Sequence, residues 1–260
     1  YKLGVFGSEW CGFKNFEFFL KSTNAPTVIR NTLVLNLLFI VTGTLTSLVL
    51  AILLNELRSR VFVRTAQTMM LFPHYISWVV VSYILLAIFS NKNGLANQLL
   101  NALGMKSVSW YTKADAWPTI LVWMKIWKSA GMNAVIYLAA ITGIDESIYE
   151  SATIDGANRF QRIVSITVPL IMPTVCIMTL LAVGKIMNGD FGMIYALVGD
   201  QGILYETTDV IDTYVYRVLR QTGDPSQSMA IGLFQSLIGL VMVVGSNWIV
   251  KHTFREGALF

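Results

Sequence analysis

Two lysines, Lys125 and Lys128, stand three residues apart in LVWMKIWKSAGMNAVIY, an otherwise uncharged run. A charge inside such a run is costly in a membrane, so it faces a water-filled cavity, meets a partner charge, or reaches water along its stem. On a helical wheel the pair shares one face with Leu121, Met132 and Val135, while Trp123 and Trp127 take the opposite side. Turned to a cavity, the lysines favour an anionic solute; matched by a partner's carboxylate or by interfacial water, they are structural. Both readings stand. Trp123 and Trp127 offer rings for stacking or for packing, and Asn133 and Asn188 suit a polar path or hydrogen-bonding glue between helices. Covalent and metal chemistry finds no support. His74 and His252 belong to no HExxH motif, and no GxxxxGK[ST] phosphate loop occurs. GxSxG is also missing, and Cys11 and Cys176 make neither a zinc pattern nor a disulfide framework.

The elements that must position these residues are membrane helices. Of 260 residues 55% are hydrophobic and only 13% charged, against about 25% charge in soluble domains, and mean hydropathy is +0.60. The net charge of +4 is scattered, with no polybasic block for nucleic acid. A span takes about 20 apolar residues, and five stretches qualify: 31–55, 65–91, 116–144 (interrupted by the two lysines), 163–184 and 225–250. Their apolar residues run all round with no period-2 alternation, so an all-α polytopic bundle is expected. Arg58, Arg60 and Arg64 in LRSRVFVR mark the first connection as cytoplasmic. Alternation puts 92–115 and 190–224 outside, and 145–162 and the tail with Lys251 and Arg255 inside. Lys92, Lys106 and Lys113 run against this count. Trp110, Tyr111 and Trp117 are expected in an outer aromatic belt. ETTDVIDTYVYRVLRQ, residues 206–221, predicts an outer amphipathic helix through Val210, Ile211, Tyr214, Val215, Val218 and Leu219. It serves as a lid on the chain itself, as a receiving surface, or as both.

One polar segment is too ordered for a plain connector. YESATIDGANRFQRIVSITVPLIMP reads as a short helix over Glu150–Ala157, ended by Gly156 in a sharp turn. Phe160, Ile163 and Ile166 then lead at helical spacing to Pro169, where the next span is expected to begin. By itself this is an amphipathic elbow on the inner face of the membrane. Glu150-Ser151-Ala152, Asp155-Gly156-Ala157, Phe160, Ile166 and Pro169 closely resemble the EAA motif of ABC-importer permeases. Gly156 follows Glu150 by six residues and Pro169 follows Gly156 by thirteen, as in the family, with Ser151 in place of the first alanine. RNTLVLN, FPHYISWVVV, IYLAAITGID, ETTDVIDTYVYRV and GSEWCGFKNF extend the likeness along nearly the whole chain. Their pattern is similar to the LplB-like, maltose-type (type I) branch, which serves oligosaccharides and polysaccharide fragments, alginate-type acidic ones included.

The resemblance implies a six-span MetI-like permease, of which this chain, opening on Tyr1, carries five. It divides into an extracytoplasmic segment 1–26, a permease core 27–252 and a cytoplasmic tail 253–260. Within the core lie a cytoplasmic coupling segment 145–168 and an extracytoplasmic loop 190–228. Glu150, Ser151, Ala152, Asp155, Gly156, Ala157 and Phe160 would contact a cleft on an ABC ATPase dimer, with Phe160 buried beside the turn. ATP and Mg2+ would bind that ATPase, leaving this chain without cofactor or catalysis. A second permease, expected as a distinct paralogue, and a solute-binding protein would complete the importer in a bacterial cytoplasmic membrane. Trp123, Lys125, Trp127, Lys128, Asn133 and Asn188 are the candidates for the substrate path, and the lysines would favour a uronic acid oligomer. The rival reading is an ATPase-independent carrier or channel, which suits midplane charges but has no use for the elbow.

Overall fold

The computed structural model describes Gly7, residues 12–91 and residues 93–253. Cys11 and part of GSEWCGFKNF, Lys92, and the tail with Arg255 lie outside the described residues. The principal helices are α1 (Lys14–Leu20), α2 (Ala25–Glu56), α3 (Arg60–Tyr75), α4 (Trp78–Phe89), α5 (Leu95–Ala102) and α6 (Trp117–Thr142). They continue as α7 (Glu146–Ile154), α8 (Arg159–Val183), α9 (Phe191–Val198), α10 (Ile211–Thr222) and α11 (Pro225–Thr253). No strand occurs among the described residues.

α2, α8 and α11 are each long and apolar enough to cross a membrane alone. α2, with 32 residues, measures about 48 Å at 1.5 Å per residue, longer than a ~30 Å hydrocarbon core. Three of its hydroxyls bond within the helix: Thr42 donates to the Leu38 carbonyl (2.6 Å), Thr46 to Thr42 (2.7 Å) and Ser47 to Gly43 (2.6 Å). That satisfies polar groups which lipid cannot. α6 spans 26 residues, long enough to cross, although its lysines keep it out of the strictly apolar class.

The span expected over 65–91 is in fact two helices. α3 begins earlier, at Arg60 behind the Ser59 cap, and runs through Pro73 to Tyr75. Ile76 is extended, and the Ser77 hydroxyl caps α4 by accepting from the Val80 N–H (3.3 Å). Only as one broken span do α3 and α4 pass together.

The chain forms two compact units. One comprises Leu38–Ile76, Val122–Gly184 and the chain from Met242. Its core joins Ala51 and Leu54 of α2, Ala134, Tyr137, Leu138 and Ile141 of α6, and Ile171 of α8. α3 and α6 touch at Gly131, where an added Cβ would fall 2.1 Å from the Met70 carbonyl oxygen, so only glycine fits.

The other unit comprises the chain up to Leu37, Ser77–Leu121 and Lys185–Val241. Phe19 of α1 packs against Tyr214 (5.7 Å between ring centres) and Phe234 (6.0 Å). The expected outer loop contains α9, whose Met193, Ile194, Leu197 and Val198 are buried. FGMIYALV is wholly apolar, and at eight residues it is too short to signal a span. Trp117, placed by its type in an aromatic belt, is instead fully buried, with its Nε1 donating to the Trp110 carbonyl (3.0 Å). Its N–H finds a protein acceptor, which removes the reason for an interfacial position.

Candidate functional site

The polar elbow consists of two helices closed on themselves. α7 starts at Glu146, earlier than the expected Glu150, because Asp145 caps it. The Asp145 carboxylate accepts from the Ser147 N–H (2.9 Å), and that bond holds its pKa below the usual carboxylate value. α7 ends in a Schellman turn: the Ala157 N–H reaches the Ala152 carbonyl (2.9 Å) and the Gly156 N–H the Thr153 carbonyl (3.1 Å). Gly156 has φ +82, the left-handed region that glycine enters without penalty. Asn158 then opens α8 with a reciprocal capping box to Gln161 (2.8 and 2.9 Å). The N-x-x-Q spacing is legible in ANRFQR, ahead of the helix start expected at Pro169.

α8 in fact begins at Arg159, ten residues before Pro169. A π turn over Ile163–Thr167 absorbs the proline's missing N–H, with the Val168 N–H bonding to the Ile163 carbonyl. Two side-chain bonds tie the limbs of the elbow together. Tyr149 Oη meets Thr167 Oγ1 at 2.9 Å, and Arg162 Nη1 donates to Thr153 Oγ1 at 3.0 Å. Glu150, Ser151, Asp155 and Gly156 are exposed, and Ala152 and Ala157 half-buried. Phe160 is 73% exposed and Ile154 86%, so within this chain Phe160 is not buried beside the turn. Caps and a Schellman turn close the elbow's helix ends, yet Ile154 and Phe160 turn most of their apolar surface outward.

The two lysines part company. Lys128 is only 9% exposed. Its ammonium donates to the carbonyls of Pro73 (3.1 Å), His74 (2.9 Å) and Ile76. Those carbonyls belong to the C-terminal end of α3, where the broken span leaves acceptors without helical partners and the helix dipole favours a cation. All three donors are committed, so Lys128 is not a cavity-facing ligand. Lys125 is half-buried and sits 5.9 Å from the ring centre of Phe39. Trp123 (63%) and Trp127 (42%) are exposed. Asn133 is half-buried; Asn188 is exposed, and its carbonyl, rather than its amide, is what the fold uses.

Residues 43–255 match the family described as the binding-protein-dependent transport system inner membrane component. The chain belongs to this family of membrane permeases. Protein LplB of Bacillus subtilis is 35% identical over 255 residues, covering 98% of this chain and 80% of that protein. The polygalacturonan/rhamnogalacturonan transport system permease protein YteP of the same organism is 32% identical, covering 98% and 79%. A crystal structure of a bacterial ABC transporter involved in importing the acidic polysaccharide alginate superposes with a TM-score of 0.89 at 34% identity. It covers 96% of this chain and 86% of that one. The permease is therefore an all-helical ABC-importer subunit, as the elbow motif implied, and it is not itself a catalyst.

On the permease's other unit, α10 begins at Ile211 rather than Glu206. Asp209 is extended and breaks the run: its carboxylate accepts from Thr213 Oγ1 (2.8 Å) and pairs with Arg217. Burial would lower the Arg217 pKa, but the hydrogen bond and charge of Asp209 raise it above the ordinary arginine value. Arg217 also lies over the Tyr205 ring, 4.1 Å from its centre. Val210, Ile211, Tyr214 and Val218 are buried as their spacing predicted, and Leu219 is 37% exposed. A cleft of ≈ 600 Å³ opens beside them, lined by Tyr205, Glu206, Tyr214, Arg217 and Gln221 among others. Two amides were missed: the half-buried Asn36 donates to the carbonyls of Ile186 (2.9 Å) and Asn188 (3.1 Å), and the buried Gln235 to that of Met187 (2.8 Å). They hold the unwound stretch between α8 and α9, as lipid-depth backbone requires.

Proposed function

We propose that the permease forms part of the translocation path of an oligosaccharide importer and is driven through its elbow by a cytoplasmic ABC ATPase dimer. The observation that carries this reading is the exposure of Phe160 and Ile154 on a helix–turn–helix whose own hydrogen bonds are complete. Such a surface fits a cleft that receives the rings and methyls, with Glu150 making a charged contact at its edge. ATP and Mg2+ act on the ATPase. Its closure pushes the elbow, and the Tyr149–Thr167 and Arg162–Thr153 bonds carry the push into α8. A second permease, a distinct paralogue in this reading, faces Trp123 and Trp127 or shares them with the path. A solute-binding protein delivers cargo to the α10 side in a bacterial cytoplasmic membrane. With Lys128 committed to α3, Lys125, Asn133 and Asn188 are the polar candidates for the path. Lys125 favours an acidic sugar, in keeping with the cargoes named for YteP and for the alginate transporter. A carrier that works without ATPase would leave Phe160 and Ile154 with no occupant.

The test is ATP hydrolysis in reconstituted membranes holding the permease pair, the ATPase and the binding protein, with acidic and neutral oligosaccharides compared. Gly156→Asp is the control. An added Cβ there meets nothing within 4 Å of its own chain, and aspartate is among the side chains that visit left-handed backbone. The variant should fold, while its new carboxylate sits in the ATPase cleft. Stimulation by loaded binding protein, lost in Gly156→Asp, is expected. If no ATPase assembles with the permease, the coupling role of the elbow is wrong.

A further inference from the structure

The connection between α4 and α6 is a folded unit built on one buried side chain. Asn97 of α5 is 2% exposed and uses its full hydrogen-bonding capacity. Its amide donates to the carbonyls of Asn91 (3.3 Å) and Val108 (2.9 Å), and its oxygen accepts from the Val108 N–H (3.0 Å) and Trp110 Nε1 (3.2 Å). Phe89 packs on Trp110 with ring centres 5.0 Å apart. α5 is thereby fixed in orientation, and what it turns outward is apolar. Leu95, Leu99 and Leu103, at i, i+4 and i+8, are 57%, 66% and 73% exposed, and Met105 is 50% exposed.

We infer that this face lies in the membrane–water interface, with its leucines among the outermost acyl-chain segments. Covering such side chains takes apolar area out of water, which is favourable, so a fixed stripe of them calls for a permanent apolar surface. Two features select the bilayer. LANQLLNA carries no formal charge, whereas a soluble partner that comes and goes leaves its docking face in water between visits and needs polar groups there. The cleft beside α10, with its arginine, glutamate and tyrosines, has that character; the α5 face does not. The stripe also continues an apolar surface of the same unit. α4, five residues upstream, exposes Val79, Val80, Tyr83, Ile84 and Leu86 and belongs to the broken span. Lys106, just past the stripe, suits headgroup phosphates. α5 thus anchors the end of the broken span in the interface, independently of how the elbow works.

The experiment places a bimane label on Leu99→Cys in the assembled transporter, with Cys11 and Cys176 replaced by serine, in phosphatidylcholine–phosphatidylglycerol nanodiscs. Quenching by lipid carrying a doxyl group high on its acyl chain is expected to exceed quenching by iodide several-fold. Adding binding protein is expected to change neither. Gln98→Cys, exposed on the flank of the same helix, should give the reverse order. Iodide quenching at Leu99 that binding protein relieves would make α5 a docking face and overturn the inference. Quenching by neither agent would overturn it too, placing the stripe against the second permease.

Discussion

The elbow at Asp145–Pro169 and the lysine at 128 are both polar anomalies in an apolar chain, and the structure treats them in opposite ways. At the elbow, caps, a Schellman turn and a π turn satisfy the backbone, and the side chains are left over. At Lys128 the side chain itself satisfies the backbone, and nothing is left over. A polar residue in a membrane protein is therefore available for function only after the local backbone has been accounted for. The strongest test breaks this symmetry at Lys128. Lys128→Met removes the donor for three carbonyls at the end of α3 and is expected to cost about 3 kcal/mol or more of stability. A large fall in thermal midpoint in detergent should show it, with Lys128→Arg in between. Lys125→Met should move the midpoint little. Equal falls for both would erase the distinction between the two lysines.

At the elbow the expectation is inverted: folding untouched, partnership lost. Phe160→Ala removes a ring that is 73% exposed, so the thermal midpoint should hold. Recovery of the ATPase with the permease should fall, by about 2–4 kcal/mol of binding if Phe160 is a buried anchor in the cleft. Undiminished recovery would mean that the apolar tip is not the contact. Tyr149→Phe should act more gently. It keeps the ring and deletes the bond to Thr167 (2.9 Å), worth about 1 kcal/mol. Assembly with the ATPase should persist while the ratio of stimulated to basal hydrolysis drops. Thr167→Ser, which keeps the hydroxyl, should preserve that ratio. If both variants stimulate normally, the brace plays no part in coupling.

What the sequence disclosed follows the same line. The all-helical class, the elbow and the buried face of α10 were legible, because apolar runs and glycine in a left-handed turn are local signals. The start of α8 was misplaced because Pro169 looks like a helix start, and a π turn that accommodates it leaves no mark in residue types. Lys128 was read as a path residue because its acceptors, Pro73, His74 and Ile76, lie more than fifty residues away in sequence. Asn36 and Gln235 escaped for the same reason, their carbonyl acceptors lying far off in sequence, whereas the partners of Asn97 lie within thirteen residues, in a loop whose fold residue types do not announce. The break at Ile76 was hinted at by Pro73, yet only the Ser77 cap shows where α4 begins.

The smallest expected effect concerns the cap that begins the elbow, and it separates geometry from charge. The Asp145 carboxylate is held below its usual pKa by the Ser147 N–H. Its contribution to the elbow is therefore complete above the unfolded carboxylate pKa and fades only as pH falls through the depressed folded value. Between about pH 6 and 8 the charge is constant, so the cap should impose no pH dependence on coupling. Asp145→Asn, an equally good cap, should match the parent across that range. Asp145→Ala should fray the first turn, seen as faster amide exchange at Ser147 and Ile148 while α8 is unaffected. A loss of coupling in Asp145→Asn that is uniform across that range would show that the carboxylate's charge matters at the partner surface, extending the contact from Glu150 to the start of α7. Agreement with the parent would confine Asp145 to the elbow's own architecture, on the same side of the comparison as Lys128.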